Sequence, residues 1–323
     1  MTEQTLLLGL AVPAIGPGAI AEHARDAERH GLNFVLFDDG PGAPAAPTRA
    51  GRLDPVESAA FASATTDAIG LIATAAATHA EPYHLSNRFS SLDWGSRGRA
   101  GWLVTVDPSP ARARAYSAAP PDAGAAGREA DAVLDAARRL WDSWEDGALI
   151  ADAAGGRFLD NEKLHYVDAH NEFFSVRGPA LMPRPVQGQV VVLARAGDAV
   201  ADPDVTLVAG GTCEELARAA DRAWMAGAGR TFAEVTPAPG ADLLVLLRRL
   251  AGRVDGVVLC PATPEAVSGI LQDLGARVAP ALIADGTLAP PRSGQTLREQ
   301  LALPRPPSRY AAVPVGAGES GRS

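Results

Sequence analysis

The sequence is poor in cysteine, in aromatic residues and in basic charge. Its two cysteines, Cys213 and Cys260, stand far apart in 323 residues. So few thiols exclude a disulfide-built scaffold, and two reduced side chains are expected. Aromatic residues make up 5% of the chain while apolar residues make up 47%, so the core must be built mainly from Ala, Val and Leu. Acidic residues outnumber basic ones, 38 to 29, for a formal net charge of −9. A protein that grips nucleic acid needs a basic face, so that class is excluded. No apolar run is long enough to span a bilayer, and the opening "MTEQTLLLGLAVPAIGPG" has no basic residue ahead of its apolar run. A cytoplasmic protein acting on small molecules, with no membrane partner, is the expectation.

The familiar catalytic motifs are also missing. There is no P-loop, HExxH, CxxC or GxSxG. A literal G-x-G-x-x-G occurs at Gly316, Gly318 and Gly321, but no strand leads into it and no helix follows, so it lacks the context of a dinucleotide site. His79/His84 and His165/His170 are each spaced by five, which does not place both rings on one helical face. No metal site is expected from them.

What is present is a rhythm. Short continuous apolar runs occupy 6–12, 33–39, 69–78, 99–106, 189–197, 204–211, 231–237 and 256–263. Helical patterns separate most of them. Ile20, Ala24 and Ala27 share one face ahead of Gly31, Asp54–Pro55 reads as an N-cap followed by a first-turn proline, and 82–96 reads as a third helix. Trp141 and Trp144 fall at helical spacing in the pattern of 128–146 and read as packing residues. Continuous rather than alternating apolar strands belong to a parallel sheet covered on both faces. Eight such units predict an α/β fold, a (β/α)₈ barrel, in preference to an open doubly wound sheet. The barrel is expected to fill 1–310 as one domain. It would carry a polar insertion at 147–188, a loop at 108–127 and a disordered tail at 311–323.

In such a barrel, chemistry sits at the C-terminal ends of the strands. The polar residues there are Asp38 and Asp39 after the second run, Thr78 and His79 after the third, Thr105 and Asp107 after the fourth, and Arg195, Gly197 and Asp198 after the fifth.

Five passages carry a resemblance. They are "EPYHLSNRFSSLDWGSRGRAGW" (81–102), "LWDSWEDGAL" (140–149), "HYVDAHNEFFSVRGPALMPRPVQG" (165–188), "VDGVVLCPATPEAV" (254–267) and "SGQTLREQLALPRPPSR" (293–309). Together they resemble the bacterial-luciferase-like flavin monooxygenases, in the branch of the nitrilotriacetate, EDTA and dibenzothiophene-sulfone enzymes. The resemblance implies a luciferase-like barrel, usually a homodimer. It implies reduced FMN from a separate flavin reductase, use of O2, and oxygenation of a small organic substrate. A deazaflavin is the other cofactor that related barrels use. Carried onto this chain, Asp38, Asp39, Thr78, Thr105, Arg195 and Gly197 would contact the cofactor, with His79 as hydrogen-bond donor or proton shuttle over the pocket.

The sequence also departs from that pattern. Leu103 stands where the family has an amide side chain, and Val106–Asp107 replaces a Thr-Ser pair. In the phosphate-binding segment after the fifth strand, Asp198 takes the place of the first serine. A stretch that covers the pocket in longer members is missing between 240 and 243. The alternative expectation is therefore a flavin-free, non-catalytic relative serving as a binding or partner subunit.

Overall fold

The computed structural model describes residues 5–13, 16–38 and 53–311. All eight apolar runs form strands: β1 (Leu7–Pro13), β2 (Phe34–Asp38), β3 (Gly70–Ala76), β4 (Ala100–Thr105), β9 (Val191–Arg195), β10 (Val205–Ala209), β11 (Thr231–Val235) and β12 (Gly256–Leu259). They close into one all-parallel barrel in the order β1-β12-β11-β10-β9-β4-β3-β2. Closure rules out the open doubly wound sheet. Two small antiparallel pairs, β5 (Leu149–Asp152) with β6 (Arg157–Leu159) and β7 (Ala169–His170) with β8 (Ser175–Val176), lie in the polar insertion.

The helices around the barrel are α1 (Pro17–Arg29), α2 (Pro55–Ser63), α3 (Pro82–Gly95), α4 (Pro110–Ala115), α5 (Ala123–Asp142), α6 (Cys213–Met225), α7 (Leu243–Leu250), α8 (Ala266–Asp273), α9 (Ala279–Ala284) and α10 (Leu297–Gln300). α1 buries Ile20, Ala24 and Ala27 and ends before Gly31 at φ +80°. Asp54 caps α2 by accepting the Val56 N–H at 2.8 Å. Trp141 and Trp144 are indeed packing residues: their indole N–H groups donate to the carbonyls of Ser86 and Ala180.

Two connections differ from expectation. Residues 108–127 are not simply a loop. Ser109 and Pro110 start α4, with Ser109 Oγ accepting the Arg112 N–H, and Asp122 caps α5 five residues ahead of the helical pattern in the sequence. Two good N-caps outweigh a Pro- and Gly-rich composition. The second difference is between β9 and β10, where residues 196–204 cross without a helix. A parallel crossover commonly takes a dozen or more residues with a helix among them. Here nine suffice.

The barrel interior is layered. At the N-terminal end, Leu297 and Leu301 of the C-terminal segment plug the opening. Above them Phe34 and Phe232 stack, with centroids 5.5 Å apart. Gly9 and Gly256 face these rings, because any Cβ there would collide with them. Leu36, Ile72, Leu103, Leu193, Leu207 and Val258 fill the middle. By strand alternation, Asp38, Thr74, Arg195 and Glu234 form the layer at the C-terminal mouth. The tail from 312 onward and Asp39 lie outside the described residues.

Candidate functional site

The mouth layer is a charged cluster on an apolar base. Arg195, the last residue of β9, donates from Nη2 to Asp38 at 2.7 Å and from Nε to both Glu234 oxygens at 3.0 and 3.1 Å. Thr74 donates its hydroxyl to the other Asp38 oxygen at 3.0 Å. All three charged side chains are mostly buried, with 14–24% of their surface exposed. Burial works against the Arg195 charge, but hydrogen bonds and attraction to Glu234 and Asp38 outweigh it and raise its pKa. Asp198, half-buried, is held above the ordinary carboxylate range by burial and by Glu234, with Arg195 offsetting part of the shift.

Over this layer lies a cavity of about 770 Å³. Asp38, Arg195 and Glu234 form its polar side, and its walls include Ala11, Leu216, Val235 and Pro261. Both cysteines line it, and they are not joined. Burial pushes the Cys260 thiol up to about 12, and Glu234 adds to the shift. The size and the mostly apolar wall suit a small organic ligand. Among the described residues, no group of three His, Cys, Asp or Glu side chains is placed to hold a metal ion.

The residues singled out from sequence are only partly gathered here. Asp38 and Arg195 line the cavity. Thr105 lies at the mouth on the inward register of β4 but is not in the cavity wall. Thr78 is fully buried, and its hydroxyl accepts the Asp107 N–H at 3.0 Å, so it ties two loops together and is not open to a cofactor. His79 also lies off the cavity wall. It adopts φ +57°, gives its backbone N–H to Glu129 at 2.8 Å, and stacks on Tyr116 with centroids 5.9 Å apart. Among the described residues, its buried ring Nε2 has no hydrogen-bond partner. Gly197 is exposed at φ +106° in the helix-free crossing. Asp39 lies outside the described residues. Sequence reading missed Glu234, Thr74 and the cavity-facing cysteines. A glutamate inside the apolar run "TFAEVTP" was the available signal for Glu234, because a charge in a buried strand needs a partner.

The resemblance implies that the phosphate of FMN is held where the chain leaves the fifth strand. The residues here do not fit a dianion. The crossing has no helix, hence no helix N-terminus. Asp198 adds a carboxylate, and Arg195 is already shared by Asp38 and Glu234. The helix start that lines the cavity, that of α6, has its Gly211 and Thr212 N–H groups committed to the Glu215 carboxylate at 2.8 and 3.1 Å.

Comparison with known proteins supplies the wider context. The family model for luciferase-like monooxygenases matches residues 4–243. Dibenzothiophene-sulfone monooxygenase of Rhodococcus erythropolis is 41% identical over 142 residues, a match covering 44% of this chain and 31% of that protein. The chain therefore spans less than a third of that relative's length. One of the subunits of the pristinamycin IIA synthase of Streptomyces pristinaespiralis is 31% identical over 304 residues, covering 93% of this chain and 94% of the relative. Among solved structures, riboflavin lyase with modified FMN and riboflavin superposes with a TM-score of 0.76 at 18% identity, covering 92% of this chain and 95% of the other. That likeness speaks to the fold.

Proposed function

The chain belongs to the luciferase-like monooxygenase family, and from that membership we propose that it serves a reduced-flavin, O2-consuming oxygenation of a small organic molecule. A separate flavin reductase supplies the reduced FMN. The observation that carries this reading is the cavity of about 770 Å³ at the C-terminal mouth of a closed eight-stranded barrel, where chemistry sits in this fold. Its size and apolar wall fit a small molecule, and the relatives' names are those of enzymes acting on such molecules. When bound, the flavin supplies the oxygen chemistry; the protein's part is to orient, to exclude water and to place hydrogen bonds.

A second reading has its own support. The phosphate misfit, together with a nearly full-length relative that is one subunit of a synthase, favours a role as the partner subunit of such an enzyme. In that role His79 and the mouth residues position and stabilise rather than react.

The test is a reconstitution with flavin reductase, FMN, a reduced pyridine nucleotide and a panel of small organic molecules under ¹⁸O₂. The expected result is a product carrying one labelled oxygen that disappears when this chain is left out. Product formation that does not depend on the chain, or that persists without FMN, contradicts the proposal.

A further inference from the structure

We infer that the organic molecule taken by the cavity is amphipathic, its apolar portion seated in a side wing between α6 and α7 and its polar end at the charged floor. This rests on the small-molecule reading above and names the substrate class of that cavity.

The cavity reaches across two layers of the fold. Its floor belongs to the barrel interior. Asp38, Arg195 and Glu234 form the charged part, and Ala11 and Cys260 in the same wall belong to or pack on the interior core. Its wing belongs to the layer between strands and helices. Cys213 and Leu216 come from α6, Leu246 from α7, Val235 from the end of β11, and Ala238 and Ala241 from the loop that joins β11 to α7. Leu216 and Val235 are part of the outer core, and Cys213 and Leu246 pack against it.

The two parts differ in chemistry. Every charged residue in the described wall lies in the floor. Cys260 stays a neutral thiol, because burial and then Glu234 push it up to about 12. In the floor, Arg195 gives Nε to Glu234 and Nη2 to Asp38, while its Nη1 donates to no other described residue. One donor in the wall is thus left for a polar oxygen of the ligand. The wing walls are aliphatic side chains and one thiol, so water there gains little and carbon is favoured.

The roof of the wing is pinned at its far end. Gly240 turns the loop at φ +75°. Asp242 then caps α7 by accepting the Leu244 N–H at 3.1 Å, and it takes Arg277 Nη1 at 2.9 Å. Arg277 also holds Asp273 at the end of α8 at 3.1 Å. A roof held in place gives the wing a preformed shape, which a ligand fills without first ordering the loop.

The experiment is isothermal titration of the intact chain, without flavin, with butanamide, hexanamide and octanamide. The amide oxygen suits the Arg195 donor, and only the apolar length changes. The expected result is a gain of about fourfold in affinity per added methylene. Equal affinities along the series, or no binding of octanamide at millimolar concentration, overturn the inference. Two variants locate the apolar end. Ala238→Trp fills the wing from an exposed loop position, and Leu246→Ser makes its wall polar. Each should weaken octanamide at least about tenfold, the worth of roughly two buried methylenes, and leave butanamide within about twofold. Octanamide binding unchanged in both variants overturns the inference. The ¹⁸O₂ reconstitution separates the two readings. Labelled product without length-dependent binding removes the wing and keeps the oxygenation. Length-dependent binding without labelled product supports the wing and removes the oxygenation.

Discussion

At the residue scale, the mouth cluster and one buried acid make opposite predictions about charge. Arg195 is shared by Asp38 and Glu234 in a mostly buried layer. Breaking a buried ion pair by removing one partner is strongly destabilising, so Arg195→Met should lose about 2–4 kcal/mol of unfolding free energy in urea titration, the upper end discounted for partial exposure. A loss under about 0.5 kcal/mol, the range of a neutral surface change, would contradict the cluster. Asp93 is fully buried at the other end of the barrel, against Gln187 at 2.6 Å. Burial raises its pKa from 3.8 to about 6, against hydrogen bonds from Gln187 that favour the ionised form. A raised carboxyl pKa means that the folded state holds the proton more firmly than the unfolded state. Its contribution is therefore present below the unfolded value and is lost as pH rises through the folded value. Asp93→Asn should remove that slope. Between about pH 4 and pH 6, its stability relative to the parent should shift in the variant's favour by up to about 3 kcal/mol. A pH-independent difference would refute the assignment. Asp38 and Arg195 were legible in the sequence because they end strand runs. Their mutual pairing was not, since it joins residues 157 apart in the chain.

At the element scale, strands were easier to read than connections. Continuous apolar runs mark buried parallel strands directly, and all eight appear as such. The connections obey cap chemistry that composition hides. Ser109 and Asp122 start helices within a Pro-, Ala- and Gly-rich stretch. The helix-free crossing at 196–204 was not legible either, because "GDAVADPD" shows a phosphate-site departure without showing that a whole helix is missing. Inside the barrel, element packing gives a further test. Gly9 on β1 lies under the Phe34 ring of β2, so Gly9→Ala forces that ring to move. Overpacking of this kind typically destabilises by about 1–3 kcal/mol. The double variant Gly9→Ala/Phe34→Leu should recover part of the loss, because the two sites share one contact. Strict additivity in thermal unfolding would show that the ring is not what the glycine accommodates.

At the scale of the whole molecule, the fold and the family were readable from five passages spread along the chain, and the closed barrel agrees with them. The misfit of the mouth to a phosphate was less readable. Leu103, Asp107 and Asp198 signalled lost flavin contacts one at a time. Only the assembled mouth reveals that the Gly211 and Thr212 N–H groups at the α6 start and the Arg195 guanidinium are already bound by the protein's own carboxylates. The most direct measurement is phosphorus-31 NMR of FMN during titration with the purified chain. If the barrel has no phosphate site, the FMN resonance should keep its position through a molar excess of protein. A shift that saturates at one FMN per chain would contradict the account.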